Sequence, residues 1–305
     1  MVRVFRGSIA AAGLFLVTGP GFGQEATRVA ESPPAGIAEP RDRRTAFETL
    51  TAEPFAEKRD EMETDRDAFT PASSVVGRGR TVIETAYSFL ENRRSYETHS
   101  LPELLLRYGL SERLELRLGF NAEVGGGSNE ISGSASSFHE SPSEGSRLER
   151  ESKISYGVKV RLTDQDAWLP RTALILTGTT PTGGSEGTST ATQLIATGIA
   201  GWEMPNRWRF DTSLRFGTAS QSGDRYQRWA PSAVMRVPLG ERVMAHAEYF
   251  GIFATSRETS PDQHYFSTGG HYLLSEDFEL GTRVGWGLND ASVRFFANVG
   301  IGLRY

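Results

Sequence analysis

The chain has 305 residues, 33 of them glycine and none cysteine, with 10% aromatic residues and a formal net charge of -5. Without cysteine it can build neither a disulfide scaffold nor a thiol-dependent site, and its acidic balance gives no footing for nucleic acid. A mean hydropathy of -0.38 would suit a soluble protein, but strands that alternate apolar and polar residues across a membrane average to similar values.

Residues 1–23, MVRVFRGSIAAAGLFLVTGPGFG, carry Arg3 and Arg6, an apolar stretch from Ile9 to Val17, and small residues before Gln24. This is the layout of a secretory signal peptide with cleavage after Gly23. The apolar stretch is shorter than the roughly 20 residues that a spanning helix needs. Residues 24–77 are rich in Pro, Glu, Asp and Arg and poor in β-branched side chains. Such a composition buries little apolar surface, so a mostly disordered periplasmic extension is expected, its last part able to tuck into the mouth of whatever follows.

From Arg78 the pattern becomes strand, turn, strand. In RLELRLGFN, Leu114, Leu116, Leu118 and Phe120 point one way and Arg113, Glu115, Arg117 and Asn121 the other. SKISYGVKVRL sets Ile154, Tyr156, Val158 and Val160 against Lys153, Ser155, Lys159 and Arg161. RWRFDTSLRFG sets Phe210, Leu214 and Phe216 against Arg209, Asp211, Ser213 and Arg215, and ELGTRVGWGLN sets Leu280, Val284 and Trp286 against Glu279 and Arg283. Segments near 79–90, 98–108, 171–180, 191–202, 228–238, 242–253 and 264–274 alternate less cleanly but have the same length. With the last strand, about twelve strands are expected, each near the 9–11 residues that cross an outer membrane.

The connections alternate in length. GLSE, EMPN, PLGE and SEDF are tight and TDQDAWLP is somewhat longer. ENRRSYE, the Gly/Ser-rich VGGGSNEISGSASSFHESPSEGSRLERE, PTGGSEGTST, QSGDRYQ and ATSRETSPDQ are longer and more polar, with NDA the short exception. Short turns on one rim and long loops on the other predict an all-β fold: an antiparallel transmembrane β-barrel of the bacterial outer membrane over 78–305, its N-terminus periplasmic.

The chain ends NVGIGLRY. Asn298, Gly300, Leu303 and Tyr305 have the polar, glycine, apolar, aromatic spacing that resembles the β-signal read by the barrel-assembly machinery. That strand is expected to close on the first, since a bare terminal edge invites aggregation.

Facing inward on the best-patterned strands are the basic residues Arg117, Lys159, Arg161, Arg209, Arg215 and Arg283 and the acidic residues Glu115, Asp211 and Glu279. Arg113, Lys153, Arg294 and Arg304 follow the same parity, and Glu84, Glu103, Arg107, Arg236 and Glu248 are expected to join them from less regular strands. Two readings stand. An excess of Arg and Lys favours anions in an open pore, or the charges pair across strands and fill the lumen.

Neither a metal nor a cofactor is expected. Of His99, His139, His246, His264 and His271, no two sit at metal-ligand spacing on one strand face, and His264 and His271 lie on opposite faces of one strand. The enzymatic alternative is a barrel-borne lipid hydrolase using His139 with Ser141 or His99 with Ser100. The first pair lies in the long loop, with no strand to preorganise it.

METDRDAFTPASSVVGRGRTVIETAYSF, LPELLLRYGLSERLELRLGFN, PTGG, HAEYFG and YLLSEDFELGTRVGWGLN resemble the bacterial transporter-like family named for a meta-pathway of phenol degradation, over roughly Met62 to Tyr305. One departure is Asp67-Ala68 before Phe69-Thr70, where the family tends to read Pro-Asp. The resemblance implies an outer-membrane protein that admits small organic compounds, aromatic ones among them, and contributes no catalytic residues; the expectation of anionic solutes comes from the inward Arg and Lys. The implied partners are outer-membrane lipid, the assembly machinery and the solutes themselves.

Overall fold

Alternating side chains give every strand one face for the interior and one for the surroundings. In β3 (Leu114–Gly125), Leu116 and Leu118 stand exposed outside while Glu115 and Asn121 are buried inside. The computed structural model describes residues 62–127, 129–133, 149–183, 192–221, 224–255 and 261–305. The expected signal peptide, the extension up to residue 61, and His139 with Ser141 lie outside them.

The other strands are β1 (Thr81–Glu91), β2 (Thr98–Gly109), β4 (Glu149–Thr163), β5 (Arg171–Gly183), β6 (Gln193–Glu203), β7 (Arg209–Gln221), β8 (Asp224–Pro238), β9 (Val243–Thr255), β10 (Gln263–Ser275), β11 (Phe278–Gly287) and β12 (Phe295–Arg304). Each pairs antiparallel with its chain neighbours, and β12 pairs with β1, so twelve strands form one closed barrel. The seam runs from Val82 opposite Arg304 to Glu91 opposite Phe295. Beyond it, Thr81 and Tyr305 exchange backbone hydrogen bonds of 3.0 and 2.8 Å. Closure leaves no free edge. Outside, Leu118, Tyr156, Leu176, Leu194, Leu214 and Phe216 are exposed, an apolar surface that suits lipid and would be a liability in water.

Two loops differ from their sequence reading. QSGDRYQ is mostly strand: pairing continues from Thr218 opposite Gln227 to Gln221 opposite Asp224, leaving residues 222–223 as the connection. Antiparallel pairing therefore runs further into this connection than its polarity suggested. The link containing NDA spans 288–294, because β12 begins only at Phe295.

The last part of the expected extension, residues 62–77, runs within the lumen. Met62, Ala68, Phe69 and Ala72 are buried, as are Thr64, Asp65, Arg66, Asp67, Thr70 and Ser73.

Candidate functional site

The lumen wall is polar because the inward positions of the strands are polar, and residues 62–77 of the same chain occupy it. Asp65 accepts from Arg117 Nη1 at 2.6 Å and Lys159 Nζ at 3.2 Å, with Arg107 Nη2 3.9 Å away. Its other oxygen accepts the Ala72 amide at 3.0 Å, which folds the segment back on itself. Farther along, Glu248 of β9 accepts the Phe69 and Thr70 amides at 3.0 and 2.6 Å. Asp211 accepts the Ser73 amide at 3.2 Å and Glu115 the Val76 amide at 2.9 Å. Wall carboxylates thus satisfy the backbone of a segment that forms no regular structure, as buried amides require.

Phe69 supplies the apolar contact. It stacks on Phe250 with centroids 4.3 Å apart, and the Arg215 guanidinium lies 4.2 Å from its centroid. Phe250 in turn stacks on Tyr265 at 4.7 Å.

Glycines make the room. An added Cβ at Gly302 would come within 2.6 Å of Thr64 Cγ2, and one at Gly300 would overlap the Arg66 guanidinium. Close approach of another chain segment is one reason for glycine inside a strand. The residues that resemble the β-signal therefore also line the bed of the N-terminal segment. Asn298 accepts from Arg66 Nη1 at 3.3 Å and donates to Ser88 at 2.8 Å. Leu303 lies opposite Ile83 in the seam, and Tyr305 is exposed.

From the long-loop rim, residues 129–133 fold inward. Asn129 donates to Glu103 at 2.6 Å, Ser132 to the same carboxylate at 2.5 Å, and Glu130 pairs with Arg228 at 2.6 Å. Ile131 joins the cluster of Phe69 and Phe250. A Cβ at Gly133 would overlap the carbonyls of Asp65 and Ala68, so the loop rests directly on the N-terminal segment.

The inward charges predicted from parity are engaged by these inserts and by one another. Arg283 bonds Glu248 at 2.8 Å and the Ile131 carbonyl at 2.8 Å. Glu115 takes a two-pronged bond from Arg107 at 2.9 and 3.0 Å and a third from Arg117 at 2.6 Å. Asp211 pairs with Arg236 at 2.8 Å, Arg209 pairs with Glu63, and Glu279 accepts from Thr64 at 2.7 Å. Arg161 instead pairs with Asp164 at the short-turn rim, 3.3 Å away, and is partly exposed. Arg113 and Arg294 do not face the lumen: both are exposed, paired with Asp164 and Glu91. Each lies one residue before its strand begins, where parity no longer dictates direction. At the short-turn rim a cavity of about 270 Å³ remains, lined by Met62, Glu63, Arg80, Arg107, Arg161 and Arg209 among others.

The carboxylates of the segment are held ionised. Burial alone would raise the Asp65 carboxyl, but Arg107, Lys159 and Arg117 hold it well below its usual range. Burial likewise opposes ionisation of Glu63, yet Arg209, the Ser74 hydroxyl and Arg171 bring it down to about 2. Asp67 is lowered too, against its burial, chiefly by the hydrogen bond from His271.

No hydrolytic pair forms at His99 and Ser100. His99 bonds the Tyr87 hydroxyl at 2.7 Å on the outside, while Ser100 is buried against Asn121 at 2.6 Å. Adjacent strand residues point to opposite faces. His264 is likewise outside, bonded to the Tyr249 hydroxyl at 2.8 Å.

Comparison with known proteins fits this architecture. The family model described as "Putative MetA-pathway of phenol degradation" matches residues 64–305. The chain belongs to that family. The match begins within the lumenal segment, not at β1, so the insert and the barrel are one unit in the family's pattern. Among solved structures, an outer membrane channel from Pseudomonas putida F1 is similar at a TM-score of 0.55 and 12% identity, over 76% of this chain and 98% of that one. The NanC porin is similar at a TM-score of 0.50 and 8% identity, over 72% and 98%. Such likeness shows the shared fold, a barrel of the outer-membrane kind. Among proteins with curated descriptions, none matches this chain in sequence.

Proposed function

We propose that this protein is a gated channel of the bacterial outer membrane for small organic solutes, aromatic or anionic ones among them. The observation that carries the reading is a polar lumen closed by a segment of the same chain, held largely by ion pairs and hydrogen bonds, with apolar contacts confined to Phe69 and to Met62 and Val76 against Val82. A permanent wall would be built more cheaply from apolar side chains, since replacing buried ion pairs by packed hydrophobic residues is often neutral or stabilising. Bonds of this kind can be exchanged for water when the segment leaves. The even strand count puts both ends of the barrel on the short-turn rim, which in outer-membrane barrels faces the periplasm. The segment would therefore withdraw toward the periplasm. Asn298, Gly300, Leu303 and Tyr305 would serve recognition by the assembly machinery before the strand closes on β1.

A reversible lock tests the reading. The chain has no cysteine of its own, so Thr64→Cys with Gly302→Cys introduces a single pair, placed where a Cβ at 302 meets the Thr64 side chain. Liposomes carrying the oxidised variant should admit no benzoate, and reduction should restore uptake several-fold. Equal uptake in both redox states would mean that the segment is not the gate.

A further inference from the structure

We propose that Asp67, His246, His271 and Glu279 bind one divalent transition-metal ion that pins the lumenal segment to the barrel wall. Sheet register brings the wall residues together. His246 of β9 lies opposite Gly269 of β10, and His271 is two residues along from that glycine. His271 lies opposite Gly281 of β11, and Glu279 is two residues before it. Steps of two keep all three on the inner face of three adjacent strands. Asp67 comes from the segment on the other side. Metal-ligand spacing within one strand could not reveal such a site, because each wall donor comes from a different strand.

One donor atom from each of Asp67, His271 and Glu279 lies within 4.8 Å of the others. His271 Nδ1 is 3.1 Å from Asp67 Oδ2, His271 Nε2 is 4.0 Å from Glu279 Oε2, and His246 Nδ1 is 4.0 Å from Asp67 Oδ2. Donors around a tetrahedral zinc ion with bonds of about 2.1 Å stand about 3.4 Å apart, so Asp67, His271 and Glu279 need only small adjustments, while His246 must swing closer to complete the set.

The second observation is a set of polar atoms with nothing to bond. Both ring nitrogens of His246, Oδ1 of Asp67 and Oε2 of Glu279 are buried without a hydrogen-bond partner among the described residues. The His246 and Asp67 side chains are each 1% exposed and Glu279 is fully buried. Buried polar atoms left without partners at this density call for a ligand, and an imidazole can turn its lone-pair nitrogen to it. Thr64 donates to Glu279 Oε1 at 2.7 Å, which orients the carboxylate and leaves Oε2 for the ion.

Charge and donor type narrow the ligand. Two carboxylates and two neutral imidazoles carry a charge that a divalent cation cancels. The flanking cations are Arg66, Arg236 and Arg283, the last bonded to Glu248, Ser267 and the Ile131 carbonyl. The first bonds Asn298 and the second bonds Asp211 and the Thr70 carbonyl, and none of the three donates to Asp67 or Glu279 among the described residues. Mixed imidazole and carboxylate ligands suit zinc, cobalt, nickel or copper better than calcium or magnesium, which take all-oxygen sets.

The mature barrel in detergent, stripped with a chelator and titrated with Co²⁺, should show the visible bands of a four-coordinate site saturating at one ion per chain. After exchange into metal-free buffer, the zinc-loaded protein should retain one zinc. His246→Ala and His271→Ala should each weaken binding at least tenfold, while His264→Ala, on the outer face, should not. Heat-modifiable gel mobility identifies the variants that still form a barrel. Failure to retain metal, or retention unchanged in the His246→Ala/His271→Ala double variant, overturns the site. This arm does not require the barrel to conduct. The pinning role does rest on the channel reading: chelation should raise conductance of the wild type and leave the double variant unchanged. Metal binding without that difference overturns the pinning.

Discussion

Asp65 shows how far a single side chain can be read. Its partners Arg117 and Lys159 are visible from strand parity, because each sits on the polar face of a cleanly alternating strand. Asp65 itself was hidden, since residues 24–77 look disordered by composition. That inference counts only the burial a segment can generate alone, and here the segment borrows an interior from the barrel. The same residue sets a pH dependence. Glu63 and Asp65 have lowered pKa values when docked, so their contribution to docking is complete above the undocked values, about 3.9 for Asp and 4.3 for Glu. It is lost as pH falls through the docked values, which for Glu63 means toward about 2. The cations responsible are Arg107, Arg117 and Lys159 around Asp65, and Arg209, Arg171 and Arg236 around Glu63. In metal-free protein, planar-bilayer conductance should therefore rise reversibly as pH falls below about 4. Asp65→Asn should move that rise to higher pH. A conductance unchanged down to pH 2.5 would contradict the linkage.

At the scale of elements, strands were the legible part. Clean period-two alternation located five of the twelve and similar length placed the other seven, to within a few residues, because lipid outside and polar lumen inside impose opposite demands on successive side chains. Loops were read less well: QSGDRYQ is polar because the hairpin stands at the rim, and polarity alone does not end a strand. The insert left one trace that could have been used. In β12 the inward positions after Asn298 are Gly300 and Gly302, and an empty inner face in an otherwise packed strand implies that something else fills it. Gly302 isolates the effect, because the atoms an added Cβ meets most closely belong to the Thr64 and Met62 side chains, not to backbone. Gly302→Val should push the segment out while leaving the β1–β12 seam intact. Overpacking of this sort costs about 1–3 kcal/mol, so docking should weaken by about 5- to 150-fold, at 1.4 kcal/mol per factor of ten. Higher open probability at unchanged heat-modifiable mobility is the expected result. Wild-type closure, or loss of the folded barrel, would show that the glycine serves something else.

For the whole molecule, the proposed gating would make the two readings of the lumenal charges two states of one device. With the segment docked, wall cations pair with its carboxylates and with wall carboxylates, and no filter is available. Residues 62–77 carry Glu63, Asp65 and Asp67 against Arg66 alone. Their departure takes three negative charges and one positive charge out of the lumen, leaving it more positive by two. Arg117 and Lys159 lose Asp65, and Arg215 loses the Phe69 ring and carbonyl. Opposite charges about 4 Å apart attract by roughly 1 kcal/mol in bulk water and about 4 kcal/mol at an effective dielectric of 20. A narrow wet pore lies between these limits, enough to set a preference that salt weakens as the Debye length shrinks. A chain lacking residues 24–77 should therefore conduct with an anion-selective reversal potential in a salt gradient at neutral pH. Replacing Arg117 and Lys159 with Gln should move that potential toward zero. A cation-selective potential in the truncated chain would mean that the wall carboxylates, among them Glu84, Glu115 and Glu248, govern the open pore.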